Sequence, residues 1–353
     1  MQASASGSQP GQQEVRRVAV VGTGVIGASW AAYFLARGLE VSATDPMPDA
    51  QAKLRAAVAR HWPSLGLLGL APGASPERLR FSDSLEEALD GADFVQENGP
   101  EREDLKIDLF RRMDAALPAH VVLASSSSGL LMSKVQAACR HPGRVVLGHP
   151  FNPPHLIPLV EVIGGVQSSP EAVQAALDFY TAIGKKAIHV RKEVKGHIAN
   201  RLQAALWREA FHLVEQGVAS TEDIDTAIAY GPGLRWALMG PYLNLHMSGG
   251  EGGIGHMLDH LGPPIESWWA DLGTPSITDA LKAQIRSGVQ EQMSGKTSAD
   301  IAAERDQLLV QLLAAQGQDQ VHSLKTKFFN FFSKVMLLKN LEKLVGDQSV
   351  LLA

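Results

Sequence analysis

The sequence has a single cysteine, Cys139, among its 353 residues. One thiol excludes an intramolecular disulfide and suits a reducing compartment, so we expect a cytoplasmic protein. Histidine and cysteine pairs at the spacing of metal ligands are also lacking. We therefore expect neither a disulfide framework nor a metal site.

An excess of basic charge and long apolar runs are absent as well. The 32 Lys and Arg residues against 37 Asp and Glu residues give a net charge of -5, which leaves no basic footprint for a nucleic acid. No apolar run is long enough to span a bilayer, and the polar N-terminus lacks the apolar centre of a signal peptide. We expect no nucleic-acid partner and no membrane span, and we interpret residues 1–15 as a disordered extension, with an expression remnant as the alternative.

What the chain does contain is an alternation of strand-like and helix-like segments. Residues 17–23, RVAVVGT, form a short valine-rich run typical of a buried parallel strand. Residues 25–38 follow with apolar side chains at helical spacing. Further strand-like runs lie at residues 39–44, 94–96, 121–124, 145–147 and 159–163. This alternation predicts an α/β fold with a doubly wound sheet.

The character of the sequence changes after Gly196, where helical patterns broken by glycine and proline replace the strands. We predict an α/β domain over residues 16–194 and a mostly helical domain for substrate binding and dimerisation over residues 195–315. Residues 316–353 place phenylalanines at helical spacing among lysines and predict an amphipathic tail helix. Three interpretations of the tail stay open: a helix docked on the body or on another subunit, a helix on a membrane surface, and a non-native extension.

The motif GTGVIG stands directly between the first strand and the first helix. Gly22 permits a tight turn, Gly24 lets the backbone approach a pyrophosphate, and Gly27 allows the helix to pack closely. Asp45 ends the second strand, where an acid binds both ribose hydroxyls and repels a 2′-phosphate, which predicts NAD over NADP. The alternative is a glycine-rich turn without a ligand. The interpretation makes residues 16–194 a Rossmann-type NAD-binding domain, with cofactor contacts at Gly22, Gly24, Val25, Ile26, Gly27 and Asp45.

His149 lies in GHPFNPPH, where the prolines exclude a helix and predict a stiff, extended loop. Glu161 lies in an apolar strand-like run, where a carboxylate is costly unless it has a partner. A histidine is a natural partner, because Glu161 would fix the tautomer of the ring and leave the other nitrogen for a proton. Taken singly, a histidine in such a loop is more often structural than catalytic. Ser128 follows a predicted strand end, and Asn200 lies on the first helix of the second domain, where it could face the cleft.

Together with GTGVIG, the motifs ASSSSGL, GHPFNPP, PLVEVIGG and GHIANRL resemble the 3-hydroxyacyl-CoA dehydrogenase superfamily over roughly residues 17–310. Within it, HVRKEVKGHIANRLQAALWREA and YGPGLRWALMGP resemble the branch of the L-carnitine and L-gulonate dehydrogenases and λ-crystallin. One departure is local: the family often has asparagine and threonine where this chain has Ser126 and Ser127.

The resemblance assigns roles by motif. It implies that His149 is the general acid and base, that Glu161 orients it, and that Ser128 and Asn200 hydrogen-bond the reacting oxygen. It also implies cofactor contacts on the nicotinamide side at Glu101, Lys106 and Asn152.

The implied activity is the NAD-dependent oxidation of the 3-hydroxyl of a small L-3-hydroxy acid, such as carnitine, to the 3-keto acid. Arg235 is a candidate for gripping a free carboxylate, and Trp236 for a trimethylammonium group; the alternative is a structural salt bridge and a packed ring. Two other functions stay open, a 3-hydroxyacyl-CoA dehydrogenase and a non-catalytic, crystallin-like NAD(H)-binding protein. The segment after Asp45 has only Lys53, Arg55 and Arg60 to hold a CoA phosphate. We expect a homodimer formed through the helical domain.

Overall fold

The computed structural model describes residues 14–317. Most of the predicted N-terminal extension and of the predicted tail helix lies outside these residues. By its internal contacts the described chain divides into two units, one that comprises residues 14–195 and 302–317 and one that spans Gly196–Ile301. The domain ranges and roles given by the sequence stay predictions.

The first unit is built on one eight-stranded sheet, with the strands in the order β3-β2-β1-β4-β5-β6-β7-β8. Every neighbouring pair is parallel except β6 and β7, which are antiparallel. The strands are β1 (Arg17–Val21), β2 (Glu40–Thr44), β3 (Leu79–Phe81), β4 (Phe94–Glu97), β5 (Val122–Ser125), β6 (Val145–Pro150), β7 (Leu159–Gly164) and β8 (Lys186–His189).

Helices cover both faces of this sheet, so the predicted doubly wound α/β fold is confirmed. One apolar core holds Trp30, Leu54 and Tyr180 against one face, and a second holds Phe110 and Met132 against the other. The first core takes its helices from α1 (Val25–Ala36), α2 (Ala50–Leu68) and α6 (Pro170–Ala182), and the second from α3 (Leu85–Leu89), α4 (Glu103–Ala116) and α5 (Met132–Val135).

The strand β6 runs further than the sequence predicts and carries His149, which we expected on a loop. The extended backbone that the flanking prolines impose is also the backbone of a strand. Pro150 lacks a donor but stands at the last position of β6, where the loss costs little. Only residues 151–158 join β6 to β7, which is too short for the crossover that a parallel pair needs.

The second unit contains helices and no strand within Gly196–Ile301. The predicted fold class, a helical region after a Rossmann-type sheet, is therefore confirmed. No helix among residues 14–317 is both long and apolar enough to cross a membrane. The remaining helices are α7 (Ala199–Glu215), α8 (Thr221–Tyr230), α9 (Pro232–Ser248), α10 (Gly253–Asp271), α11 (Asp279–Met293) and α12 (Ser298–Gly317), the last of which continues beyond Ile301.

Candidate active site

The glycine motif forms a cradle between β1 and α1. Gly22 has φ +88°, and a Cβ there would stand 2.8 Å from the Asn98 carbonyl carbon. A Cβ on Gly27 would stand 1.9 Å from the Gly22 oxygen, whereas a Cβ on Gly24 would meet no atom within 4 Å. The first and last glycines are thus required by packing, and the middle one leaves open space at the N-terminus of α1. Space beside the N–H groups of a helix start is what a pyrophosphate needs, so these residues fit NAD.

Asp45 lies beside this cradle, just after β2. Its Oδ2 accepts hydrogen bonds from the Thr23 amide at 2.6 Å and the Thr23 hydroxyl at 3.2 Å. Its Oδ1 accepts one from the Met47 amide at 2.9 Å. The carboxylate is therefore held against the glycine loop at the strand end where an acid recognises a ribose. The other two predicted contacts of the motif, Val25 and Ile26, open α1; Val25 is exposed and Ile26 is half-buried.

His149 and Glu161 stand directly opposite each other on β6 and β7. Their side chains share one face of the sheet, and Nδ1 of His149 lies 2.9 Å from Oε2 of Glu161. Both side chains are buried. A carboxylate only accepts, so the ring donates Nδ1–H to Glu161, and Nε2 is the nitrogen on the opposite edge. The arrangement suits an imidazole that exchanges a proton through Nε2.

The four consecutive serines, of which Ser125 ends β5 and the other three follow it, have different partners. Ser125 donates to Glu97 at 2.6 Å, Ser126 donates to the Asn98 side chain at 2.7 Å, and Ser127 donates to Glu101 at 2.6 Å. Ser128 is exposed, and within residues 14–317 its hydroxyl makes no hydrogen bond. Of the four hydroxyls, that of Ser128 is therefore the one presented to solvent without a protein partner.

Glu101 organises the loop that carries Ser128. Its Oε1 accepts hydrogen bonds from the Ser127 hydroxyl and from the amides of Ser128 and Gly129, at 2.6, 3.1 and 2.9 Å. The carboxylate thereby closes the turn after β5. The sequence predicts a cofactor contact for this residue, and that contact stays a prediction.

Lys106 lies on α4 and is buried, with 2% of its surface exposed. Its Nζ donates to both carboxylate oxygens of Glu97, at 2.6 and 2.8 Å, and to the Gly99 carbonyl at 3.1 Å. All three ammonium hydrogens have partners in this arrangement. The contact of Lys106 with the cofactor also stays a prediction, and in the structure the residue anchors the end of β4.

The loop between β6 and β7 carries Asn152, which is exposed. His155, which is part of this loop, places its ring Nδ1 2.8 Å from the Ser29 hydroxyl on α1. Lys185 donates from its Nζ to the carbonyls of Pro154 and Ile157 in the same loop. Burial, followed by the nearby His61 and Lys185, lowers the pKa of His155 to about 3. Burial also lowers the pKa of Lys185 well below its ordinary value. The loop is therefore held by His155, which resists protonation, and by Lys185, which loses its proton more readily than an ordinary lysine.

The remaining predicted residues belong to the second unit. Asn200 is half-buried near the start of α7, and Arg235 and Trp236 are exposed on α9. Helix α9 is interrupted at Gly240, which has φ 75° and ψ 172°. The Asn244 side chain donates to the carbonyls of Arg235 and Gly240 across this kink, at 2.9 and 2.6 Å.

Sequence reasoning missed a group of buried polar residues at the end of β4. Gln96 and Glu97 are fully buried, and Asn98 follows them against the glycine loop. The signal was present, because QEN extends an apolar strand with three polar residues in a row. A polar side chain in such a strand needs a partner, as it does at Glu161. No group of three His, Cys, Asp or Glu residues that could hold a metal occurs in the described part of the chain.

Both halves of the chain match one protein family. Residues 17–194 match the 3-hydroxyacyl-CoA dehydrogenase NAD-binding domain, and residues 196–313 match the 3-hydroxyacyl-CoA dehydrogenase C-terminal domain. The chain belongs to the 3-hydroxyacyl-CoA dehydrogenase family. It is an NAD-dependent oxidoreductase that acts on the CH–OH group of a small molecule, as the sequence predicts.

Two curated relatives share about half of their residues with this chain. It is 54% identical over 306 residues to L-carnitine dehydrogenase of Streptomyces griseus subsp. griseus, which covers 87% of this chain and 91% of the relative. It is 53% identical over 306 residues to L-carnitine dehydrogenase of Streptomyces coelicolor, which covers 87% and 96%. The predicted resemblance to the carnitine dehydrogenase branch is confirmed.

The fold also matches solved structures of the family. That of 5-formyl-3-hydroxy-2-methylpyridine 4-carboxylic acid 5-dehydrogenase, an NAD+-dependent dismutase, aligns with a TM-score of 0.74 at 32% identity. The alignment covers 88% of this chain and 99% of that structure.

Proposed function

We propose that this protein oxidises the 3-hydroxyl of L-carnitine to the 3-keto acid, with NAD as the oxidant. The observation that carries the proposal is the buried pair of His149 and Glu161, set opposite each other on neighbouring strands at 2.9 Å. The relatives at 54% and 53% identity are L-carnitine dehydrogenases, which supports this substrate.

The proposed chemistry assigns the proton to His149. Nε2 takes the proton of the 3-hydroxyl, and the carboxylate of Glu161 stabilises the imidazolium that results. Ser128 and Asn200 donate hydrogen bonds to the oxygen as it becomes a carbonyl. NAD, when bound, supplies the two-electron oxidation at C3. General acid–base help of this kind typically contributes on the order of 10²–10⁴ in rate.

The proposed cofactor site uses the glycine loop, Asp45 and the loop around Ser128. The open side of Gly24 admits the pyrophosphate, and Asp45 binds the adenine-side ribose. We assign Glu101, Lys106 and Asn152 to the nicotinamide side. The free Ser128 hydroxyl, beside three serines whose hydroxyls are engaged, supports the choice of this serine as the contact to the reacting oxygen.

We assign the ends of carnitine to α9. The guanidinium of Arg235 is exposed and forms no ion pair within residues 14–317. This argues against a structural salt bridge and supports a role for Arg235 in binding the carboxylate of the substrate. Trp236 is 41% exposed and can offer a ring face to the trimethylammonium group.

A CoA thioester is the competing substrate, and the segment after Asp45 gives it little to hold. The Lys53 ammonium donates to the Pro48 carbonyl at 3.3 Å, and Arg55 donates to the Leu79 carbonyl at 3.4 Å. Two of the three cationic groups of this segment are thus engaged with backbone, which favours a free acid over a CoA ester.

We also propose that the protein is a cytoplasmic homodimer. Trp268 and Trp269 of α10 are 61% and 65% exposed, and large exposed aromatic side chains are typical of interfaces. They support a homodimer formed through the helical unit. The lone cysteine supports a cytoplasmic location.

A substrate panel tests the function. L-carnitine, L-gulonate and 3-hydroxybutyryl-CoA are each offered with NAD, and NADH formation is followed by absorbance. We expect L-carnitine to be turned over best by the wild type and none to be turned over by His149→Asn, which should still bind NADH. Preference for the CoA ester, or His149→Asn activity within tenfold of wild type, would refute the proposal.

A further inference from the structure

A glutamine at the centre of the first unit joins the two segments that carry the proposed catalytic groups. Gln96 lies on β4 and has no exposed surface. Its Nε2 donates to the Ser126 hydroxyl at 2.8 Å and to the Gly148 carbonyl at 3.3 Å. Ser126 is two residues before Ser128, and Gly148 directly precedes His149. One amide group therefore contacts both the serine loop and the strand of the histidine.

The orientation of this amide is fixed by its partners. The Gly148 carbonyl can only accept, so the nitrogen of Gln96 has to face it. The amide oxygen then faces the other way and accepts from the Tyr180 hydroxyl at 2.5 Å. The Ser126 hydroxyl, which accepts from Gln96, passes its own hydrogen to Asn98 at 2.7 Å. Every polar atom of the Gln96 side chain is satisfied, which makes the network rigid.

Small residues on β5 and β6 lie along the path of the Gln96 side chain from β4 to β6. In the strand register Gln96 is opposite Ala124, and Ala124 is opposite Val146. The small side chain of Ala124 leaves the space through which the amide crosses β5. At the far side a Cβ on Gly148 would stand 2.0 Å from the Tyr180 hydroxyl oxygen, so only glycine fits there. The glycine at 148 thus leaves room for the Tyr180 hydroxyl, which holds the amide oxygen of Gln96.

The position is otherwise apolar, because Gln96 faces the core that holds Phe94, Trp30 and Tyr180. An apolar side chain would fill this place without the cost of burying an amide. Buried polar networks that are fully satisfied specify one geometry, at a cost in stability. We propose that Gln96 is a positioning residue that fixes the spacing between His149 and Ser128. The inference rests on the proposed function, which makes these two the groups around the reacting hydroxyl.

The test compares Gln96→Leu, Gln96→Glu and Tyr180→Phe with the wild type. Gln96→Leu removes both donated hydrogen bonds, so kcat for L-carnitine should fall at least tenfold while the Kd for NADH stays within about twofold. Tyr180→Phe is the matched control, because it removes a bond to Gln96 but keeps the amide nitrogen on Ser126 and Gly148. Its kcat should stay within about threefold of wild type.

Gln96→Glu adds a second measurement, the pH dependence of kcat, which a purely structural role of Gln96 would not change. A protonated carboxylic acid can donate to the Gly148 carbonyl, whereas a carboxylate cannot and is repelled by it. The ratio of variant to wild-type kcat should therefore be highest at the acid end of the pH range and fall as pH rises. The corresponding ratio for Gln96→Leu should be independent of pH. A Gln96→Leu kcat within threefold of wild type, or a pH-independent ratio for Gln96→Glu, would overturn the proposal.

Failure of the proposed function is a separate outcome. If the wild type oxidises no acid of the panel, crystal structures of the wild type and Gln96→Leu decide the role of the amide. The distance between Ser126 and Gly148 should increase in the variant. An unchanged distance would show that the amide does not set this spacing.

Discussion

The carboxylate of Asp45 accepts a 2.6 Å hydrogen bond from the amide of Thr23, which ties the residue proposed to select the cofactor to the glycine loop between β1 and α1. Asp45→Asn removes the charge but keeps an oxygen for that amide. We expect the KM for NAD to rise by roughly ten- to a hundredfold, which corresponds to about 1.5–3 kcal/mol for hydrogen bonds to a charged group. The KM for NADP should change far less, because repulsion of its 2′-phosphate is relieved. Steady-state kinetics with both cofactors measure the ratio, and equal use of NAD and NADP by the wild type would contradict this assignment.

The second prediction concerns Glu161, which is fully buried against His149. Glu161→Gln keeps the size of the side chain but allows its amide to donate to Nδ1, which selects the wrong tautomer and leaves the imidazolium uncompensated. We expect kcat to fall by roughly 10²-fold or more. Fluorescence titration with NADH should give an unchanged Kd, since the cradle is built by other strands. A kcat within threefold of wild type would remove Glu161 from the mechanism.

The third prediction concerns Arg235, whose planar guanidinium suits a bidentate bond to a free carboxylate. Arg235→Met should reduce kcat/KM for L-carnitine by the equivalent of about 1.5–3 kcal/mol. Arg286→Met, on α11 of the same unit, is the matched control and should leave kcat/KM unchanged. If the two variants behave alike, or if Arg235→Met is harmless, the carboxylate is held elsewhere.

The fourth prediction concerns stability at acid pH and follows from His155. Its pKa is about 3 in the folded protein against an ordinary value of 6.5. Between these values the unfolded chain binds a proton that the folded chain does not. The free energy of unfolding should therefore fall as pH drops below about 6.5, by up to about 1.4 kcal/mol per pH unit from this group.

Urea unfolding at pH 7 and pH 5 checks this. His155→Gln should lose less stability between the two pH values than the wild type does. His120→Gln, a change at an exposed histidine, serves as the control and should follow the wild type. An identical pH dependence for all three proteins would show that His155 does not titrate as described.

The sequence was most informative where a pattern is repeated and local. The valine-rich β1, the glycine turn and Asp45 follow from spacing alone, and so does the change to helices after Gly196. The strands β3 and β8 were missed because they are short and lie at the two edges of the sheet, and β8 is largely exposed, so neither shows a buried apolar run. The tasks of the four serines could not be separated, because identical side chains differ only in what the fold places beside them.

The network around Gln96 shows a second limit. Its members come from β4, the loop after β5, β6 and α6, and no sequence period relates them. A lone polar residue in an apolar strand indicates that a partner exists but does not identify it. By contrast, Glu161 could be paired with His149 in advance, because both lie in neighbouring motifs joined by a short connection.

That short connection has a consequence for how such a protein can change. The histidine and its carboxylate form one cross-strand pair of a single hairpin, so the distance between them is set by the hydrogen-bond ladder of the sheet. Both members of the dyad belong to the first unit. A lineage, or an engineer, can therefore exchange residues outside this hairpin while the histidine and its carboxylate are inherited together.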